Sequence, residues 1–166
     1  MEDTTTADLS NYNEKPKLPT GLNVLTILTF IGCAYEVYST INNFISGKKV
    51  LENFEKSQEK LAEAPAWAKS MASPEMHELL AKSLDNKVPL LIVGLISIAL
   101  CVYGAMEMRK LKKQGFVIWL IGEVLPYVNI VIFTGTIFFK TFLVYFSIIP
   151  VIFILLYYFQ RKKLIY

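Results

Sequence analysis

The 166 residues carry 17 Lys and Arg against 14 Asp and Glu, and 54% of them are hydrophobic, with a mean hydropathy of +0.42. That is too apolar for an ordinary soluble domain. The formal charge of +3 gathers at the ends of apolar runs instead of along one polar face, which argues against nucleic-acid binding and for a chain whose first partner is the lipid bilayer.

The fold class expected is all-α: an integral membrane four-helix bundle with an amphipathic helical cap between the first and second transmembrane helices. Residues 1–20 are polar, interrupted by Pro16 and Pro19, and read as a cytoplasmic tail. An acidic tail before a long apolar run is not the pattern of a cleaved signal peptide, so the first helix is expected to stay. That helix is placed at 21–45. Its Thr29, Gly32, Glu36, Thr40 and Asn43 recur at three and four residues, so they share one stripe. A carboxylate at this depth costs roughly 2.5–3.5 kcal/mol facing lipid, so the stripe is expected to face helices or water.

Residues 46–87 are expected outside the membrane. Val50, Leu51, Phe54 and Leu61 recur at near-helical spacing up to Pro65, and Trp67 suits the headgroup region. Ser73-Pro74-Glu75 is a helix start, with a capping hydroxyl, a proline that lacks only an unneeded N–H, and an acid in the first turn. Seven basic and seven acidic residues balance across this loop, which fits a solvated face.

The second span is placed at 88–108. Gly94, Ser97, Cys101 and Gly104 line one flank with small side chains, the expected helix-packing seam. Glu107 reads as an interfacial partner of Arg109 or Lys110. Residues 109–114, with Arg109, Lys110, Lys112 and Lys113, form a short basic hinge that resists translocation. The third span is placed at 115–135, where Gly122, Glu123, Pro126 and Asn129 share about a third of the circumference. Pro126 cannot donate to the Gly122 carbonyl, leaving that oxygen for another donor or an ion. A polar seam between the first and third spans, built around Glu36 and Glu123, is the expected site. The fourth span is placed at 141–160, with Pro150 in its middle; Tyr157, Tyr158, Arg161, Lys162 and Lys163 mark its arrival at the interface, and 161–166 form a basic tail.

Hinge and tail together put both termini in the cytoplasm. Lys48 and Lys49 oppose this order, but they belong to a loop of about 40 residues, where the charge rule is weak. Lys outnumbers Arg 15 to 2, which points to an AT-rich genome and a bacterial inner membrane. No metal or cofactor site is expected: Cys33 and Cys101 read as small packing residues and His77 as a surface residue. The absence of HExxH, GxSxG and phosphate-loop patterns argues against an enzyme. The expected role is an accessory or assembly subunit of a larger membrane complex in translocation, respiration or the envelope, with homo-oligomerisation a further option. The alternative is a small transporter or proton relay that uses Glu36 and Glu123.

Overall fold

The computed structural model describes residues 17–58, 65, 69, 73–141, 145 and 147–166, and every regular element among them is helical. Helix α1 spans Thr20–Gln58, α2 Pro74–Asp85, α3 Lys87–Arg109 and α4 Lys113–Thr134. A 3-10 segment, Gly135–Lys140, continues α4, and α5 spans Ile148–Gln160 before a last 3-10 turn at Arg161–Lys163. Three of these helices, α1, α3 and α4 with its extension, are long and apolar enough to cross a membrane. Only 22–28% of the most apolar stretch of each is buried inside the protein. The outward faces, with Ile31, Ile92, Ile121 and Ile132 exposed, therefore call for an apolar solvent.

Helices α3 and α4 form an antiparallel hairpin, the most extensive helix–helix contact in the molecule. It closes so far because glycines meet backbone. A Cβ on Gly104 would lie 2.5 Å from the Trp119 nitrogen, one on Gly115 2.6 Å from the Met108 nitrogen, and one on Gly122 2.8 Å from the Cys101 sulfur. Dispersion and close backbone approach replace the hydrophobic effect as the cohesive force between helices in lipid. Helix α1 lies antiparallel to α3 in a regular register: Arg109 reaches Thr26, Cys101 meets Cys33, and Gly94 meets Thr40. Helix α5 returns along α1 and α4, where the Tyr157 ring packs 4.4 Å from that of Trp119 and its hydroxyl shares a 2.7 Å hydrogen bond with Thr29.

One end of the bundle gathers the basic residues. Leu111 turns the chain at φ +60°, and its carbonyl accepts the N–H groups of Ile165 at 2.9 Å and Tyr166 at 3.0 Å. Lys113 Nζ donates to the Ile165 carbonyl at 2.9 Å, and Arg109 Nη1 donates to Asn23 Oδ1 at 2.9 Å and Thr26 Oγ1 at 3.0 Å. The start of α1, the α3–α4 turn and the final residues thus share this end. At the other end α2 braces the far part of α1: His77 bonds Glu55 at 3.0 Å, and Met76 and Leu79 pack with Phe138. Ser73 caps α2 through Met76 N, with Pro74 opening the helix and Glu75 in its first turn.

Several expectations change. The first helix does not end at 45; it runs unbroken through Ser46-Gly47 to Gln58, because Gly47 seats Leu84 of α2 and packing overrides weak local propensity. The six-residue hinge contracts to Lys110, Leu111 and Lys112, since α3 and α4 reach Arg109 and Lys113. Of the span expected at 141–160, the described residues form an α-helix over Ile148–Gln160, 13 residues that cover about 20 Å. Pro150 sits in its first turn, where its missing N–H is harmless, instead of in its middle. Tyr157, expected at the interface, is buried; Tyr158 is exposed. Most of the tail at 1–20, the Leu61 end of the first amphipathic stretch, Trp67 and residues 142–144 lie outside the described residues.

Candidate functional site

The first and third helices long and apolar enough to cross a membrane, α1 and α4, do not close on one another. Helix α5 bridges them and leaves a cleft of about 400 Å3. Helix α1 supplies Thr29, Gly32, Cys33 and Glu36 to it, α4 supplies Trp119, Glu123 and Tyr127, and α5 supplies Pro150 and Phe153. Each set is a single helical face. The α4 residues stand four apart, and Thr29, Cys33 and Glu36 are separated by four and three, so each helix aims one stripe inward.

Glu36 sits at the exposed rim of this cleft and Glu123 is half-buried in it. Cys101 Sγ, 3.8 Å away, donates to Glu123 Oε2 and also lies 3.8 Å from the Trp119 carbonyl. Cys33 and Cys101 share one buried cluster with Trp119 and Tyr157, where α1, α3, α4 and α5 meet. Both cysteines are free and buried. Among the described residues, no Lys, Arg or His lines the cleft. Trp119 is 1% exposed, and its Nε1–H has no partner among the described residues. Those residues hold no group of three or more His, Cys, Asp or Glu placed to bind a metal ion.

The residues singled out in the sequence divide among several places. Glu36, Glu123, Gly32 and Thr29 reach the one cleft. Of this α1 stripe, expected to face helices or water, Thr29 is buried, Thr40 is half-buried and Gly32, Glu36 and Asn43 are exposed. Thr40 and Asn43 line a second cavity of about 310 Å3 under α2, where Lys87 lies 5.1 Å over the Phe44 ring. On α4, Gly122 is buried against α3, Pro126 is exposed and Asn129 is buried outside the cleft. One polar arc of α4 is shared in this way because α3 and α5 approach it from different sides. Of the small-residue flank, Ser97, Cys101 and Gly104 face α4 and Gly94 faces α1.

The topology anchors are also paired. Glu107 is buried, with Lys110 Nζ at 2.8 Å, Lys112 Nζ at 2.6 Å and Gln114 Nε2 at 3.3 Å. Of the two partners expected for Glu107, Lys110 makes the pair, and Arg109 turns to α1. Arg161 lies 5.6 Å over the Phe116 ring, while Lys162 and Lys163 are exposed. The Glu107 carboxylate beside it holds the Lys110 ammonium above the ordinary lysine range.

The sequence alone did not mark Cys33, Trp119 and Tyr127 as parts of the site. Their spacing was the available signal, since Trp119, Glu123 and Tyr127 repeat every fourth residue and Cys33 falls between Thr29 and Glu36 on the same stripe. Compared with known proteins, the chain matches no family model, no curated protein and no solved structure.

Proposed function

We propose that the protein is a small integral membrane subunit that docks on a larger membrane complex and holds it together or helps assemble it. The observation that carries this reading is the length of α1. Its 39 residues extend about 58 Å, nearly twice the thickness of a bilayer core, and α2 braces the surplus through Phe54, His77 and Glu55. A stiff arm projecting from a membrane anchor is suited to holding a partner at a fixed distance. It also presents charge of both signs, with Lys48, Lys49, Glu52 and Lys56 exposed. The basic end, with Lys110, Lys112, Lys162 and Lys163, would face the cytoplasm of a bacterial cell, and the arm the opposite side.

Extraction of native membranes in a mild detergent or polymer tests this. A larger membrane protein should co-purify in fixed ratio, and reversing the arm charges with Glu52→Lys and Lys56→Glu should release it without lowering the thermal stability of the isolated chain. Recovery as a lone protomer, or only as copies of itself, from every native extract would refute the reading.

A second reading, a small transporter or proton relay, is favoured by one observation: Glu36 and Glu123 arrive from different helices in a single cleft. Carboxylates at membrane depth are costly and mark ion or substrate paths when they share a cavity. Under this reading Glu36→Gln and Glu123→Gln each abolish flux in proteoliposomes but leave partner binding intact.

A further inference from the structure

We propose that the cleft between α1, α4 and α5 is a binding site for a lipophilic organic monocation, an amine or quaternary ammonium attached to an apolar body. This deepens the second reading above by naming the chemical class, and it concerns binding whether or not the ligand is moved.

Charge is the first ground. Two carboxylates front one cavity, and among the described residues no basic side chain lines it. Within an apolar medium such a pair calls for a counter-charge. The walls decide which kind. Tyr35, Trp119, Tyr127 and Phe153 bring aromatic rings to the same space. Aromatic faces attract organic cations, and most strongly where water is excluded. A bare divalent ion would need six or more oxygen ligands, and the described residues offer no cluster that could hold a metal. The volume of about 400 Å3 falls in the range of small-molecule sites.

Depth and an orphan donor supply the rest. Residues 28–36 lie about 12–24 Å along α1 from Thr20, within the span, and Tyr35 and Glu36 at the rim are exposed. A ligand dissolved in the bilayer therefore reaches the carboxylates from the side. Trp119, almost wholly buried and bordering the cleft, keeps an indole N–H with no acceptor among the described residues. Buried donors left unpaired are rare, and an occupant with an oxygen acceptor near its cation would satisfy this one.

Lauroylcholine has all three parts: a quaternary cation, an ester carbonyl and an apolar chain. Its uncharged isostere, 3,3-dimethylbutyl laurate, differs only at the cationic centre. The full chain in nanodiscs should bind lauroylcholine saturably, one per protein, above the uptake of empty nanodiscs in equilibrium dialysis, and the isostere should not compete. Glu36→Gln and Glu123→Gln should each weaken binding at least tenfold. Gly32→Leu offers a check independent of charge, because a Cβ at Gly32 meets nothing within 4 Å. The larger side chain should fill the cleft, leave thermal stability unchanged and abolish binding. Equal competition by the isostere, or Gln variants that bind within twofold of the parent, would overturn the proposal. Saturable, Glu-dependent binding with no flux in proteoliposomes would sink the carrier reading and leave this site standing; flux of protons alone, with no lauroylcholine bound, would do the reverse.

Discussion

Glu107 is the residue whose surroundings differ most from what its position promises. At the end of an apolar helix, next to Arg109 and Lys110, it reads as one more exposed surface pair. In the folded chain the turn closes over it, Lys110 and Lys112 both approach within 3 Å, and the carboxylate is left 2% exposed. Glu107→Gln should therefore lower the Tm in detergent clearly more than Glu78→Gln, which breaks the exposed pair with Lys82. The pH dependence has a definite sign. Because the Lys110 ammonium is favoured in the folded state, its contribution is complete below the ordinary lysine pKa and is lost as pH rises through the higher folded value. Tm should fall across that alkaline window, and Glu107→Gln should flatten the fall. Sequence could not show this arrangement, since it depends on a left-handed backbone at Leu111, a residue with no ordinary preference for that conformation.

At the scale of elements, the α3–α4 seam makes the sharpest expectation. Gly104→Ala and Gly115→Ala each put a methyl group against backbone at 2.5–2.6 Å, so the helices must part. Each should destabilise by about 1–3 kcal/mol, as overpacking of a fitted interface does. Gly32→Ala, which meets open space, should change stability by no more than about 0.5 kcal/mol. Equilibrium unfolding in mixed micelles measures all three. Half of this seam was readable: spacings of three and four on α3 mark Ser97, Cys101 and Gly104 as a small-residue flank. The matching half on α4 was not, because Gly122 falls in the same arc as Glu123 and Pro126 and was counted with the polar groups. The length of α1 was hidden for a similar reason. Ser46-Gly47 reads locally as a break, yet α1 runs through it, with Leu84 of α2 seated against Gly47. The acidic cleft was half legible. Period and depth pointed to Glu36 and Glu123, but the short α5 that spaces α1 from α4 decides that they border a cavity instead of a closed seam.

At the scale of the molecule, contacts between remote segments fix which ends lie together. The start of α1, the α3–α4 turn and residues 164–166 meet at one end, and the α2 brace stands at the other. Single-cysteine variants at Lys112, Lys163 and Lys56, with Cys33 and Cys101 replaced by Ser, should label with an impermeant maleimide in a definite pattern. Positions 112 and 163 should react from one face of sealed vesicles and position 56 from the other; labelling of 112 and 163 from opposite faces would contradict the fold. Charge patterning had already placed the basic turn and the basic tail together, since neither crosses a membrane readily. What it could not convey is that they touch. The carbonyl that accepts the Ile165 and Tyr166 amides belongs to Leu111 in the α3–α4 turn, so that turn is latched by a segment remote in the chain. Removing residues 164–166 should therefore unfasten this end of the molecule while the α3–α4 hairpin stays closed.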